Sequence, residues 1–158
     1  MADDEITELL NGNILAEKED NQLFDRLLLE KASEPYRNNL ALLIIGINSP
    51  SAENMKIAKK ILEGNTRGGF RGDVIGQYNP DEFAVLLVNT TAGSAEKYWA
   101  RVNLLLENSH IISGAGLAKV NPNDVEETKR EVENLLLLAR ERVQKTGESH
   151  LETARNEV

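Results

Sequence analysis

The run LALLIIGIN, Leu40 to Asn48, constrains this chain more than any other stretch. It is nearly continuous aliphatic sequence, with no alternation of apolar and polar positions. A strand with that pattern is buried on both faces, so it predicts the centre of a sheet. Its longest apolar part, Leu40 to Ile45, is far too short to span a bilayer. A chain of 158 residues fits one domain with a sizeable core.

The other elements are read outward from this strand. Asp3 to Leu10 is a short amphipathic helix candidate, broken by Asn11-Gly12-Asn13. Asp20 to Ala32 predicts a stronger helix, with Leu23, Phe24, Leu27 and Leu28 in its apolar stripe. After the central strand, Ser49 reads as a helix cap and Pro50 as its first turn, with the helix running to Glu63 and stopping at Gly64. Thr66 to Gly72 is a loop rich in Gly and Arg. Ser94 to Asn108 predicts a helix with Tyr98, Val102, Leu105 and Leu106 on its apolar side and Trp99 adjoining. Ile111 to Val120 predicts a further strand, interrupted by Gly114 and Gly116. Asp124 to Lys145 predicts the last helix, ending near Gly147, and Glu148 to Val158 reads as a polar, frayed tail.

Asp73 to Asn89, DVIGQYNPDEFAVLLVN, predicts a hairpin. β-Branched, aromatic and aliphatic residues flank Asn79-Pro80-Asp81, where Asn suits the first turn position and Pro80 presets φ for the second. Asp81 and Glu82 then sit at the tip, where carboxylates can face a ligand. Residue types alone favour a well-made turn with two solvated acids. Without the flanking helices the order is β-α-β-β-α-β. That is the ferredoxin-like α+β arrangement, an antiparallel sheet with helices on one face.

Composition narrows the function classes. The net charge of −8 argues against a nucleic-acid partner or an anionic membrane surface. There is no cysteine, so there is neither a disulfide framework nor a thiolate metal site, which suits a cytoplasmic location. The acidic start, MADDEITELL, lacks the basic opening of a signal peptide. His110 and His150 are isolated and lack metal-ligand spacing. Lys59-Lys60 reads as a solvated helix face, and Trp99 as core or rim.

The decapeptide Tyr78-Asn79-Pro80-Asp81-Glu82-Phe83-Ala84-Val85-Leu86-Leu87 resembles the Y-G-G-D-E-F-A-V-L-L hairpin of GGDEF domains, the diguanylate cyclases. Ile112-Ser113-Gly114-Ala115-Gly116-Leu117-Ala118 is similar to that family's T-V-S-x-G-V-A strand, and Asn21-Gln22-Leu23-Phe24 to its N-R-x-x-F opening. The resemblance covers Asp20 to Ser149. It implies a nucleotide-cyclase palm with a lead-in over 1–19, the GGDEF-like domain over 20–149 and a tail over 150–158.

Active members join two GTP molecules, with metal ions holding the triphosphate. The metals need hard oxygen ligands. One such ligand is normally an aspartate at the end of the first strand, where this chain has Gly46, followed by the uncharged Asn48. Asp81 and Glu82 remain as residual metal candidates. Asn79 and Pro80 replace the two glycines, and Pro80 fixes φ and removes a donor N–H. The guanine-contacting segment is shortened: Asn54 falls at the expected offset but leads into plain helix. In the phosphate-binding run of the last helix, Gln144 is neutral, Lys145 is displaced and Glu148 reverses the charge. At the inhibitory R-x-x-D site for cyclic di-GMP, Asp73 is in place. Phe70 holds the arginine position, Arg71 is one residue off and Arg67 is three too early. Arg71 and Asp73 are therefore the candidates for a vestigial ligand site.

These departures predict a degenerate GGDEF domain with no cyclase activity, no catalytic residues among Asn79, Pro80, Asp81, Glu82 and Phe83, and no cofactor. Its expected role is a regulatory or protein-interaction module whose partner is another protein or domain. The rival expectation is a non-catalytic sensor of GTP or cyclic di-GMP, and an active cyclase comes last.

Overall fold

Every residue of strand β1, Leu40–Ile47, is buried. It sits at the middle of a five-stranded sheet of order β2-β3-β1-β4-β5. The computed structural model describes residues 17–32, 39–66 and 73–154. Within them the chain runs α1 (Glu17–Ala32), β1, α2 (Ala52–Asn65), β2 (Val74–Asn79), β3 (Glu82–Val88), α3 (Ala92–Asn108), β4 (Ser113–Lys119), α4 (Val125–Thr146) and β5 (His150–Thr153). The helix candidate at Asp3 to Leu10 and most of the Thr66 to Gly72 loop lie outside the described residues.

The expected β-α-β-β-α-β core is present as β1-α2-β2-β3-α3-β4. β1 pairs antiparallel with both β3 and β4. One face of the sheet presents Ala41, Leu43, Ile45, Phe83, Val85 and Leu87 to α2 and α3, which contribute Ala58, Leu62, Tyr98, Trp99, Val102 and Leu106. These two helices share one face, as the ferredoxin-like reading requires.

The structure departs from that reading in three places. The alternate residues of the same strands, Leu40, Leu42, Ile44, Ala84 and Leu86, also need cover. Phe24 and Leu28 of α1 and Val125, Val132 and Leu136 of α4 supply it, so the sheet carries helices on both faces. The chain after α4 is not wholly a frayed tail, because His150–Thr153 forms β5, parallel to β4. Gly147 ends α4 in the left-handed conformation (φ 74°) and Ser149 Oγ then accepts from the Ser113 N–H at 3.0 Å, which sets the strand on the free edge of β4. The sheet is consequently mixed. Finally, α2 is capped by Ser51, whose Oγ accepts from the Asn54 N–H at 3.0 Å, and not by Ser49; Gly64 lies inside the helix.

The last helix meets the sheet unusually closely. A Cβ built on Gly116 would lie 2.5 Å from the Val132 carbonyl oxygen and 2.7 Å from the Leu136 nitrogen, and one on Gly114 would lie 3.2 Å from the backbone of Ala139 and Arg140. Helix α4 therefore rests on the bare backbone of β4. This seating carries Arg140 over the end of β1. No described helix is long and apolar enough to cross a membrane.

Candidate functional site at the hairpin tip

Strands β2 and β3 form the expected hairpin, with Pro80 and Asp81 between them and Asn79 paired with Glu82. The register shifts between Gln77 and Asn79. The Gln77 side-chain amide closes the turn by donating to the Pro80 carbonyl at 3.1 Å. The Asn79 side-chain amide donates to Glu82 Oε1 at 2.6 Å. The tip is also tied to the sheet centre, because the Ile47 N–H donates to the Asp81 carbonyl at 2.9 Å. Asn79 and Pro80 thus serve turn geometry, and Phe83 is fully buried under α2 and α3.

The two acids do not face open solvent. Arg140 donates from Nη2 to Asp81 Oδ2 at 2.7 Å and from Nη1 to Glu82 Oε2 at 2.9 Å. The side chains retain 29% (Arg140), 31% (Asp81) and 14% (Glu82) of their exposure, so this is a half-buried, charge-assisted fork. With Oε1 held by Asn79, both oxygens of Glu82 are engaged.

Gly46 explains how the guanidinium reaches them. Gly46 pairs with Glu82 on one side and Gly114 on the other, so all three point toward α4. A Cβ at Gly46 would lie 2.5 Å from Arg140 Nη1, 2.9 Å from Cζ and 3.2 Å from Cδ. The space that a side chain at position 46 would fill is occupied by the Arg140 side chain. The residues at this end of the sheet do not fit the divalent metal that the sequence resemblance implies: position 46 offers no oxygen and a cation already holds both carboxylates. Among the described residues no group of three or more His, Asp or Glu side chains is placed to hold a metal ion.

Sequence reasoning does not single out Arg140. A clue exists: it follows Ala139 and lies one turn beyond Leu136, at the margin of the α4 core stripe. What it faces depends on how α4 is seated, which the sequence of the helix does not state.

The second candidate site is only partly in view, since Arg67, Phe70 and Arg71 lie outside the described residues. Asp73 plays a structural part. Its Oδ1 accepts from the Val88 N–H at 2.9 Å, joining the start of β2 to the end of β3. The remaining candidates lie on or beside α2, α3, α4 and β5. Asn54 donates its side-chain amide to the Ser49 carbonyl at 2.8 Å. Gln144, Lys145 and Glu148 are exposed beyond the core end of α4. Lys59 leans toward Glu63 and Trp99 is buried. His150 pairs with Glu152 at 2.8 Å along β5.

Beneath the hairpin, the Tyr78 hydroxyl donates to Glu133 Oε2 and its ring packs edge-on against Phe24. Burial, then the Glu133 hydrogen bond and charge, push the Tyr78 phenol well above its ordinary range. Burial, then the charge of Asp73, do the same to Tyr98.

No protein-family model and no curated protein sequence match this chain. Solved structures do match its fold. The active GGEEF domain of a diguanylate cyclase from Vibrio cholerae superposes with a TM-score of 0.71 at 16% identity, covering 92% of this chain and 100% of that one. The diguanylate cyclase SiaD of Pseudomonas aeruginosa, in complex with its activator SiaC, gives 0.70 at 14% identity over 85% of this chain and 58% of that one. The GGDEF domain of DgcB from Caulobacter crescentus, in complex with cyclic di-GMP, gives 0.66 at 13% identity over 84% and 89%. The fold of this chain is that of the GGDEF, diguanylate-cyclase-like domains.

Proposed function

We propose that this chain is a degenerate GGDEF domain that makes no cyclic di-GMP and serves as a regulatory or protein-interaction module in cyclic di-GMP-type signalling. The observation that carries this reading is the Arg140 fork across Asp81 and Glu82, seated against Gly46. Phosphoryl transfer to a 3′-hydroxyl needs metal ions on a triphosphate. The pair of acids at the tip is already neutralised in part by a side chain of the same protein. Pro80 stiffens the loop where a glycine would let the backbone approach a nucleotide. A protein partner is consistent with the SiaD structure, in which a chain of this fold is bound to an activator protein.

The test is direct. The purified chain, incubated with GTP and Mg²⁺ or Mn²⁺, is expected to yield no cyclic di-GMP above a no-protein control. Protein-dependent product on a chromatogram would overturn the reading. The DgcB complex favours a second reading, a cyclic di-GMP sensor, which would use the Arg71 and Asp73 region. Against it, Asp73 Oδ1 is committed to the Val88 N–H. Saturable binding by calorimetry, lost in both Arg71→Ala and Asp73→Ala, would replace the module by the sensor.

A further inference from the structure

We propose that Arg140 is a built-in cation, held in the chain in place of a divalent metal at the Asp81–Glu82 tip. The inference deepens the non-catalytic reading above and rests on it. Two carboxylates on adjacent residues of one turn repel each other, and a positive charge nearby relieves that repulsion. Arg140 supplies it in a form that is always protonated. Its fork divides between two different carboxylates, one Nη group to each, at 2.7 and 2.9 Å. A divalent metal at the tip would have to draw on these two carboxylates, and would compete there with the guanidinium that already holds Asp81 Oδ2 and Glu82 Oε2. Glu82 Oε1 is not free to substitute, since Asn79 holds it at 2.6 Å.

Gly46 is the other half of the arrangement. A carboxylate there would complete a third ligand, but its Cβ would lie 2.5 Å from Arg140 Nη1. The absent side chain and the present guanidinium occupy one volume. The position of Arg140 is set independently by the seating of α4, whose backbone presses on Gly114 and Gly116. The guanidinium is thus delivered to the tip by the packing of a whole helix and is not a loose surface side chain that met two acids by chance.

The proposal requires that the tip exclude divalent metal because of the charge of Arg140. Manganese binding is followed by electron paramagnetic resonance on the full chain, with Mn²⁺ alone as probe. The wild-type chain is expected to show no Mn²⁺ site that depends on Asp81 and Glu82. Arg140→Ala frees both carboxylates and is expected to raise Mn²⁺ affinity at least about tenfold, since ligand charge tunes such sites. The gain is expected to vanish when Asp81→Asn and Glu82→Gln are added. Arg140→Lys keeps a cation and is expected to stay close to wild type. Should Arg140→Ala fail to fold by circular dichroism, Arg140→Gln makes the same comparison. Wild-type Mn²⁺ binding that is lost in Asp81→Asn/Glu82→Gln would overturn the proposal. So would a folded, uncharged Arg140 variant with no gain, or an Arg140→Lys variant that binds as well as the uncharged one. Product formed from GTP by the wild-type chain would instead overturn the non-catalytic reading, and the two failures are read in separate assays.

Discussion

Gly46→Ala isolates the fit between the sheet and Arg140 with the smallest change available. The added methyl would sit 2.5 Å from Nη1 and 2.9 Å from Cζ, so the guanidinium has to leave. It can do so, because the clash is with the far end of a flexible side chain. The cost is then the fork itself. Hydrogen bonds to charged groups contribute about 1.5–3 kcal/mol when buried, and exposed ion pairs about 0.2–1 kcal/mol. With Arg140 and Asp81 near 30% exposed and Glu82 at 14%, the fork falls between these limits, at about 2 kcal/mol in all. Replacing a strand glycine by alanine returns about 0.5–1 kcal/mol. The net expectation is a loss of about 1–1.5 kcal/mol. In an Arg140→Ala background nothing remains to be displaced, and the same Gly46→Ala step is expected to be neutral or to stabilise by about 0.5 kcal/mol. The cycle therefore predicts a coupling of about 1–2 kcal/mol between positions 46 and 140. Urea unfolding followed by the fluorescence of the buried Trp99 measures all four corners. Equal costs of Gly46→Ala in the two backgrounds would refute the argument that the glycine is there to admit the arginine.

Other consequences follow from the same packing. Gly116→Ala puts a methyl against backbone atoms that cannot rotate away, so it is expected to lower stability by about 3 kcal/mol, at the severe end of overpacking. Gly64→Ala, in open space within α2, is expected to raise it by about 0.5 kcal/mol, and urea midpoints that fail to move in opposite directions would contradict both assignments. Tyr78 and Tyr98 have phenols raised above the ordinary value of 10.0. Their contribution to stability is accordingly complete below about pH 10 and lost as pH rises beyond it. Absorbance titration is expected to show these two phenolates forming only as the chain unfolds in alkali; their ionisation in the folded chain near pH 10 would count against the buried Tyr78–Glu133 pair.

The parts of the fold that sequence exposes are those where burial is complete or a turn has only one solution. β1 is covered on both faces, and its unbroken apolar run says so directly. Asn79-Pro80-Asp81 marks the hairpin because Asn and Pro are favoured at the first two positions of a turn. β5 is different. It is an edge strand with every residue half-buried, so HLET carries neither an apolar run nor a clean alternation. Leu105 belongs to the predicted α3 stripe by spacing, yet it is 40% exposed, because the buried face follows Ala95, Tyr98, Trp99, Val102 and Leu106. The two serines around Pro50 both match a cap, and only the backbone chooses Ser51. Asp73 is likewise ambiguous in sequence: a carboxylate at a strand start serves a ligand or a neighbouring N–H equally well, and here it holds Val88.

The candidate site is half legible in the sequence for a deeper reason. Asp81 and Glu82 are neighbours in sequence, and a turn presents them together whatever surrounds it. Gly46 and Arg140 lie far apart, and each is ordinary alone: a glycine in a central strand, an arginine beside a helix core stripe. Their meaning comes from three placements made at once. The register of β1 against β3 puts Gly46 opposite Glu82. The register of β1 against β4 puts it opposite Gly114. The bare backbone of β4 lets α4 descend until Arg140 meets all of them. Restoring an acid at position 46 alone would therefore not rebuild a three-carboxylate site. The added side chain would first have to displace the guanidinium from the volume they share, and the displaced arginine would still be tethered to α4 beside the acids. Positions 46 and 140 have to be considered as one unit, and the chemistry of the tip is decided by which of them carries the side chain.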